Sequence, residues 1–317
     1  MNRYDDTLRT DAYGFALDEM HIGRMHIPNA AALDTDGVMT AKARATGSTT
    51  AWVASTCTLN SATAGDDLTV TAPVMLGAAP NALKIKLETN STDVLAVSSA
   101  ADTITIKLAS TTAGNNTAAK IQAAIRALGK VNGVDVSGFV CAAAGDWDTT
   151  AIATGETEAV AMASGVTGDV DIITEGLKNP PQARNITATT DGTAGDIGAV
   201  AVTVHGTDIG DQVISEQLPY FTANNKTTVT GVKAFKTVTK VELPAHDGAA
   251  ATTAIGFSDI FGLPIKMTDN MVRVAFGGAW EASAPTIVKD ATEVCKNTID
   301  IVGTPDGAND VDILILL

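Results

Sequence analysis

Aromatic side chains are scarce in this 317-residue chain, where Phe, Trp and Tyr together make up 4%. Thin cores are expected, and the aromatic platforms that polysaccharide-cleaving sites usually present have little material to be built from. Cysteine is equally sparse. Cys57, Cys141 and Cys295 stand alone without a CxxC pair, which excludes both a thiolate zinc site and a disulfide framework and fits synthesis in a reducing cytosol. Basic residues are few, 21 against 36 acidic ones, for a formal charge of −15. That charge repels nucleic acid and anionic membranes and keeps an abundant protein soluble. No apolar run approaches the ~20 residues that span a bilayer. The first residues, with Arg3 and Arg9 among Asp5, Asp6 and Asp11, lack the apolar stretch of a signal peptide.

Catalytic motifs are missing as well. There is no GxSxG elbow, no GxxxxGK[ST] loop and no GxGxxG fingerprint. Of the four histidines, His21 and His26 lie five apart without supporting ligands, His205 ends a strand pattern, and His246 falls in a PAHDG segment that reads as an exposed turn. Acidic pairs at Asp66 and Asp67, Asp146 and Asp148, Asp208 and Asp211, and the set Asp306, Asp310 and Asp312, do not follow the calcium-loop spacing and read as Asx turns. The sequence therefore predicts no catalytic residue, no cofactor and no metal.

What is present is β pattern. Gly, Thr, Ser, Asn and Asp recur along the whole length, as short strands and tight turns require. Length favours two domains. Residues 1–45 mix Tyr13, Phe15, Met20, Ile22, Met25 and Ile27 with Gly and Pro and read as an extended arm. Residues 46–169 read as a small α+β module. Leu68, Val70 and Ala72, then Leu83, Ile85 and Leu87, then Ile104, Ile106 and Leu108 alternate with polar residues as half-buried strands do, with further strands near 93–98, 134–140 and 157–163. The one convincing helix spans 117–128, with Ala118, Ile121, Ile125 and Leu128 on one stripe, a cap at Asn116 or Thr117 and a stop at Gly129. Lys120, Arg126 and Lys130 read as its solvated face. Residues 170–317 read as an antiparallel β-sandwich or barrel, with strands over 184–190, 199–205, 212–218, 229–243, 271–280, 298–302 and 311–317. Gly277 and Gly278 mark a bulge or hairpin. The run VDILILL at 311–317 is apolar on both faces, so it is a central core strand or one buried by a partner.

Two stretches resemble structural proteins encoded among the head and tail genes of tailed phages. NPPQARNITATT (179–190) leads into AVAVTVHGTDIGDQVISEQL (199–218), and GVKAFKTVTKVELP (231–244) into IGFSDIFGLPIKM (255–267). In those proteins a PRN-V-T strand precedes V-V-GTD-GD-I-E and then a G-KAFKTVT-V-LP hairpin. The order is kept here, with a departure at Gln182 and Ala183, where the pattern has Pro directly before Arg. NALKIKLET, DTITIKLASTTAGNNTAAKIQAAIRAL and ASGVTGDV are similar to small domains inserted in phage sheath, tail and decoration subunits. The resemblance implies a virion structural protein, made in the host bacterial cytoplasm and placed on the capsid surface as a decoration or cement subunit. Its implied partners are the major capsid protein and neighbouring copies of itself, in a homotrimer or other homo-oligomer, with no nucleic acid and no membrane. A tail subunit and a carbohydrate-binding or carbohydrate-cleaving receptor protein are the alternatives. Candidate interface residues are the apolar groups a thin core leaves over: Phe15, Met20, Ile22, Met25, Ile27, Leu314, Ile315, Leu316 and Leu317.

Overall fold

The computed structural model describes residues 22–43, 50–60, 65–145, 147, 158–268 and 271–316. The stretch read as an extended arm contributes two strands, β1 (Ile22–Ile27) and β2 (Asp34–Ala43). β2 does not alternate cleanly, because only Val38 and Met39 are buried, which hides it from a period-two reading; β1 does alternate, with Met25 and Ile27 inward and Arg24 and His26 exposed. Both strands pair with the C-terminal half of the chain, as described below.

The α+β module follows. Its strands are β3 (Thr56–Leu59), β4 (Leu68–Thr71), β5 (Lys84–Thr89), β6 (Ala96–Ala100) and β7 (Thr103–Leu108). Helix α1 (Ala118–Arg126) comes next, followed by β8 (Lys130–Val131), β9 (Val134–Asp135), β10 (Val140–Ala143) and β11 (Val160–Ala161). One sheet runs β10-β4-β3 and another β11-β5-β7-β6, in which only β5 and β7 are parallel. The alternating residues do what their spacing demands: Ile85, Leu87, Ile104 and Ile106 turn inward onto Ile121 and Ile125 of α1. The Thr117 hydroxyl accepts the Lys120 N–H at the helix start, and Gly129 adopts φ +69° just past its end. Arg126 departs from the expected solvated face, since its Nε donates to the Phe139 carbonyl at 2.7 Å.

Every buried residue of this module's core lies between Cys57 and Met162. The module joins the rest of the chain through a two-stranded neck, and its Trp52 and Met75 pack against the core of the body. Val53 bridges Val166 and Thr56 bridges Ala163, while Thr50 and Asp169 exchange hydrogen bonds at 3.0 Å.

The remaining strands are β12 (Val170–Ile173), β13 (Arg184–Gly192), β14 (Thr203–Thr207), β15 (Val213–Gln217), β16 (Thr228–Phe235) and β17 (Thr237–Pro244). They continue with β18 (Ala251–Gly262), β19 (Val272–Phe276), β20 (Ala279–Trp280), β21 (Thr286–Val288), β22 (Thr298–Asp300) and β23 (Val311–Leu316). The fold is mainly β, as the sequence predicts. A sheet β12-β17-β14-β15 covers a sheet β16-β13-β18-β22-β21, and β2 adds to β18. Ile186, Ala188, Ile255 and Phe257 from one sheet meet Val204, Val238, Val241 and Leu243 from the other, with Val38 and Met39 of β2 among them. A further sheet, β1-β23-β19-β20, covers a separate core of Ile27, Phe261, Leu263, Ile299, Ile313 and Ile315. The run read as one strand over 229–243 divides at Lys236, where the chain leaves one sheet for the other.

Strand β18 organises this body. It pairs with β13 along one edge and successively with β2 and β22 along the other. At Gly256 a β-carbon would lie 1.9 Å from the Asp34 carbonyl oxygen, so β2 approaches only because glycine is there.

Where the two cores meet, Arg184 at the start of β13 is completely buried (0% exposed). Its guanidinium lies 4.2 Å from the Phe261 ring centroid and 5.4 Å from that of Phe257. Its Nη1 donates to the Ser258 carbonyl at 2.9 Å and its Nη2 to the Ala31 carbonyl at 2.6 Å, between β1 and β2. Burial lowers its pKa to about 10, which still leaves it protonated at neutral pH. One side chain thus ties the N-terminal strands to β13 and β18. Replacing it by Met keeps the volume and strands both carbonyls. Urea unfolding of Arg184→Met is expected to show a loss of about 2–4 kcal/mol, and an unchanged midpoint would refute the tie.

Candidate interaction surface

The sheet β1-β23-β19-β20 has two unlike faces, set by period-two alternation. Met25, Ile27, Val272, Val274, Ile313 and Ile315 turn toward the core. On the other face Leu314 stands between Arg24 and Arg273 in register, and Leu316 continues the row toward Met271, whose carbonyl accepts the Leu316 N–H at 2.9 Å. Met271 is 70% exposed and Trp280 49%. Gly277 and Gly278, at φ +58° and +80°, close the β19–β20 hairpin as their pairing in sequence suggests and set Trp280 opposite Ala275. The Arg273 guanidinium lies 4.8 Å from the Trp280 ring centroid.

The charged residues of this face are organised around Asp312. Arg24 donates to its Oδ1 from Nη2 at 2.7 Å and from Nε at 3.0 Å, and His26 Nδ1 lies 2.8 Å away. Burial works against ionisation of Asp312, but the bonds from Arg24 and His26 outweigh it and hold the carboxyl below its usual range. Arg24 is thus balanced by Asp312, a second carboxylate, Asp310, lies 4.0 Å from His26 Nε2, and Arg273 has no ion pair among the described residues but lies against Trp280.

Alternation divides the candidate interface residues predicted from sequence. Leu314 and Leu316 are half-buried on the outward face. Ile27 and Ile315 are buried in the chain's own core and Met25 packs against it, which corrects their reading as interface groups. Ile22 pairs with Leu316 through the backbone. Phe15, Met20 and Leu317 lie outside the described residues. Strand β23 is central in its sheet, so the apolar run VDILILL serves a core with one face and solvent with the other. Arg24, Met271, Arg273 and Trp280 were missed by sequence reasoning. The only signal was the hairpin glycines, which place Trp280 across from β19 but do not say which face is covered.

The other candidates resolve into structural roles. His246 is buried rather than in an exposed turn. Its Nδ1 accepts the Gly198 N–H at 3.3 Å, and its Nε2 lies 2.8 Å from the Thr253 hydroxyl. His205 pairs with Glu242 at 3.0 Å, and His21 lies outside the described residues. Asp208 accepts the Gly210 and Gln212 N–H groups, and Asp306 those of Ala308 and Asn309, as Asx turns do. Asp146 and Asp148 lie outside the described residues, and among those described no three His, Cys, Asp or Glu side chains converge as metal ligands would. Burial pushes the Cys57 thiol up to about 11 and the Cys141 thiol up to about 12, so neither is a ready nucleophile.

Motif residues carry architecture. Between Asn185/Ala234 and Thr187/Thr230 the β13–β16 register jumps, and the bulge this creates is held from two sides. The Glu216 carboxylate accepts the Val232 and Lys233 N–H groups at 2.6 and 3.1 Å, and Asn185 Nδ2 donates to the Gly231 carbonyl at 2.9 Å. A shallow cleft of about 520 Å³ lies between the ends of β2 and β12, lined by Ala41, Lys42, Ala43, Asp171, Ile172 and Leu243. It has no convergent set of polar groups around which a small molecule could be oriented. Compared with known proteins, the chain matches no family model, no curated sequence and no solved structure.

His246 gives a pH test of this packing. Burial lowers its pKa below the ordinary 6.5. The unfolded chain therefore takes up a proton that the folded ring refuses, and stability present above pH 6.5 is lost as pH falls below it. Urea midpoints at neutral and mildly acidic pH should differ more for the native chain than for His246→Asn. Equal differences would contradict the buried neutral ring.

Proposed function

We propose that this chain is a structural subunit of a tailed-phage particle, made in the host cytoplasm and bound to the outside of the capsid shell as a decoration or cement protein. Two things support the reading. The first is the resemblance over the Arg184, Glu216 and Gly231 motifs, whose residues are those that tie, pin and turn the β body. The second, and the observation that carries the proposal, is the layout. A body built from both halves of the chain leaves one sheet face with Met271 and Trp280 exposed and Leu314 and Leu316 half-buried, while a module with its own core is joined by a two-stranded neck and by Trp52 and Met75 packed on the body. Such a subunit grips with its body and extends its module. Its partners in this reading are the major capsid protein and neighbouring copies of itself. Each contact across capsid subunits must be broken before the shell opens, so binding stabilises the closed state by linkage.

Immunogold labelling of particles with antibody to this chain is expected to decorate heads, and label confined to tails would overturn the capsid assignment in favour of a tail subunit. Particles lacking the gene should lose DNA at lower temperature or milder osmotic shock than complete ones. Equal resistance would remove the cementing mechanism.

A further inference from the structure

We infer that the module pairs with the module of a second copy of this chain, edge to edge along β6. The inference rests on the self-associating part of the reading above and is independent of where in the particle the protein sits. Strand β6 (AVSSA) is the last strand of the sheet β11-β5-β7-β6 and pairs with β7 alone. The two-residue turn at Ala101 and Asp102 joins Ala100 to Thr103 as a hydrogen-bonded pair. Alternation then directs the backbone N–H and C=O groups of Ala96, Ser98 and Ala100 toward β7 and those of Val97 and Ser99 away from it. Among the described residues nothing bonds to these outward groups. An edge of this kind is completed by another strand.

Side chains identify that strand. Edges elsewhere in the molecule are guarded: β1 carries Arg24 and His26, β12 carries Asp171, the Glu216 carboxylate takes N–H groups of β16, and Lys233 Nζ donates to the Ser215 carbonyl of β15. β6 has no charge, no proline and no register break against β7. With a formal charge of −15 two copies repel one another, so a contact between them needs a strip free of acid. β6 is such a strip, and the carboxylate that follows it, Asp102, is held by Lys84 at 3.0 Å. A twofold axis through Ser98 runs the two β6 strands antiparallel. Val97 and Ser99 of each copy then exchange backbone hydrogen bonds with Ser99 and Val97 of the mate, because these are the outward groups of both strands. Ser98 meets its own copy and Ala96 meets Ala100, and neither pair brings bulk or like charge together. The joined sheet runs through both modules and leaves each body to grip the shell.

Cysteine crosslinking on the full chain tests this. Ala96 and Ser98 are both exposed, whereas Cys57, Cys141 and Cys295 are buried. On the axis the two Ser98 β-carbons, as a non-hydrogen-bonded pair, stand about 5 Å apart, within reach of a disulfide after a small adjustment. Under mild oxidation Ser98→Cys is expected to form a covalent dimer, and Ala96→Cys, which faces Ala100 of the mate, to remain uncrosslinked. By native mass spectrometry at micromolar concentration the unaltered chain is expected as a dimer. Ser98→Lys, which sets two lysines together on the axis, is expected as a monomer with an unchanged thermal midpoint. Equal crosslinking of the two cysteine variants, a monomeric unaltered chain, or a Ser98→Lys variant as associated as the unaltered chain would each overturn the inference. Heads labelled by antibody together with a monomer in solution would remove the pairing and leave the particle assignment standing, and label confined to tails together with a Ser98-linked dimer would do the reverse.

Discussion

The body of this protein depends on a buried positive charge. Taking a guanidinium out of water is costly, and among the described residues no carboxylate is within ion-pair distance of Arg184, although the charge of Asp259 favours it from further away. Its direct partners are two backbone carbonyls and the faces of Phe257 and Phe261. The arrangement fixes more than one side chain. The Ala31 carbonyl belongs to the connection between β1 and β2, the Ser258 carbonyl to β18, and Arg184 itself to β13, so three segments distant in sequence must be in place for the charge to be accommodated at all. An apolar residue would escape the cost of burying the charge but would leave the Ala31 and Ser258 carbonyls without their donor, and it would not specify which backbone groups come together.

From that junction the two ends of the chain become one structure. β1 and β23 lie side by side, β2 and β22 share an edge of β18, and the α+β module interrupts the body with its own core. The same topology produces the outward face. A sheet made from both ends of the chain has its inner side filled by Ile27, Val274, Ile313 and Ile315 and no further element described over its outer side. Arg24, held by Asp312, and Arg273, lying against Trp280, border its apolar residues.

Much of this was legible in the sequence where one face of an element is wet. The strands of the module and α1 are visible because water on one side enforces polar residues at alternate or helical spacing, and the hairpin at Gly277 and Gly278 is visible because both positions need positive φ. Strand β18, the longest, left no such trace. Ala251–Gly262 is covered on both faces, so its pattern is a continuous mixture of small and apolar residues. Strand β2 of the supposed arm was hidden for the opposite reason, since most of it remains exposed. Long-range partners were illegible throughout. Nothing in RNITATT says that its arginine reaches Ala31, and nothing in VDILILL says which of its leucines face outward. That information lies in register, and one residue of slip would exchange the two faces.

Native-state hydrogen exchange on the full chain, compared with Arg184→Met, tests the central claim most directly. The account expects the amides of β1, β2, β13 and β18 to share one level of protection and to lose it together in the variant, while α1 and β7 in the module keep theirs. Retention of native protection in β1 and β2 of the variant, or a uniform loss across body and module alike, would contradict it.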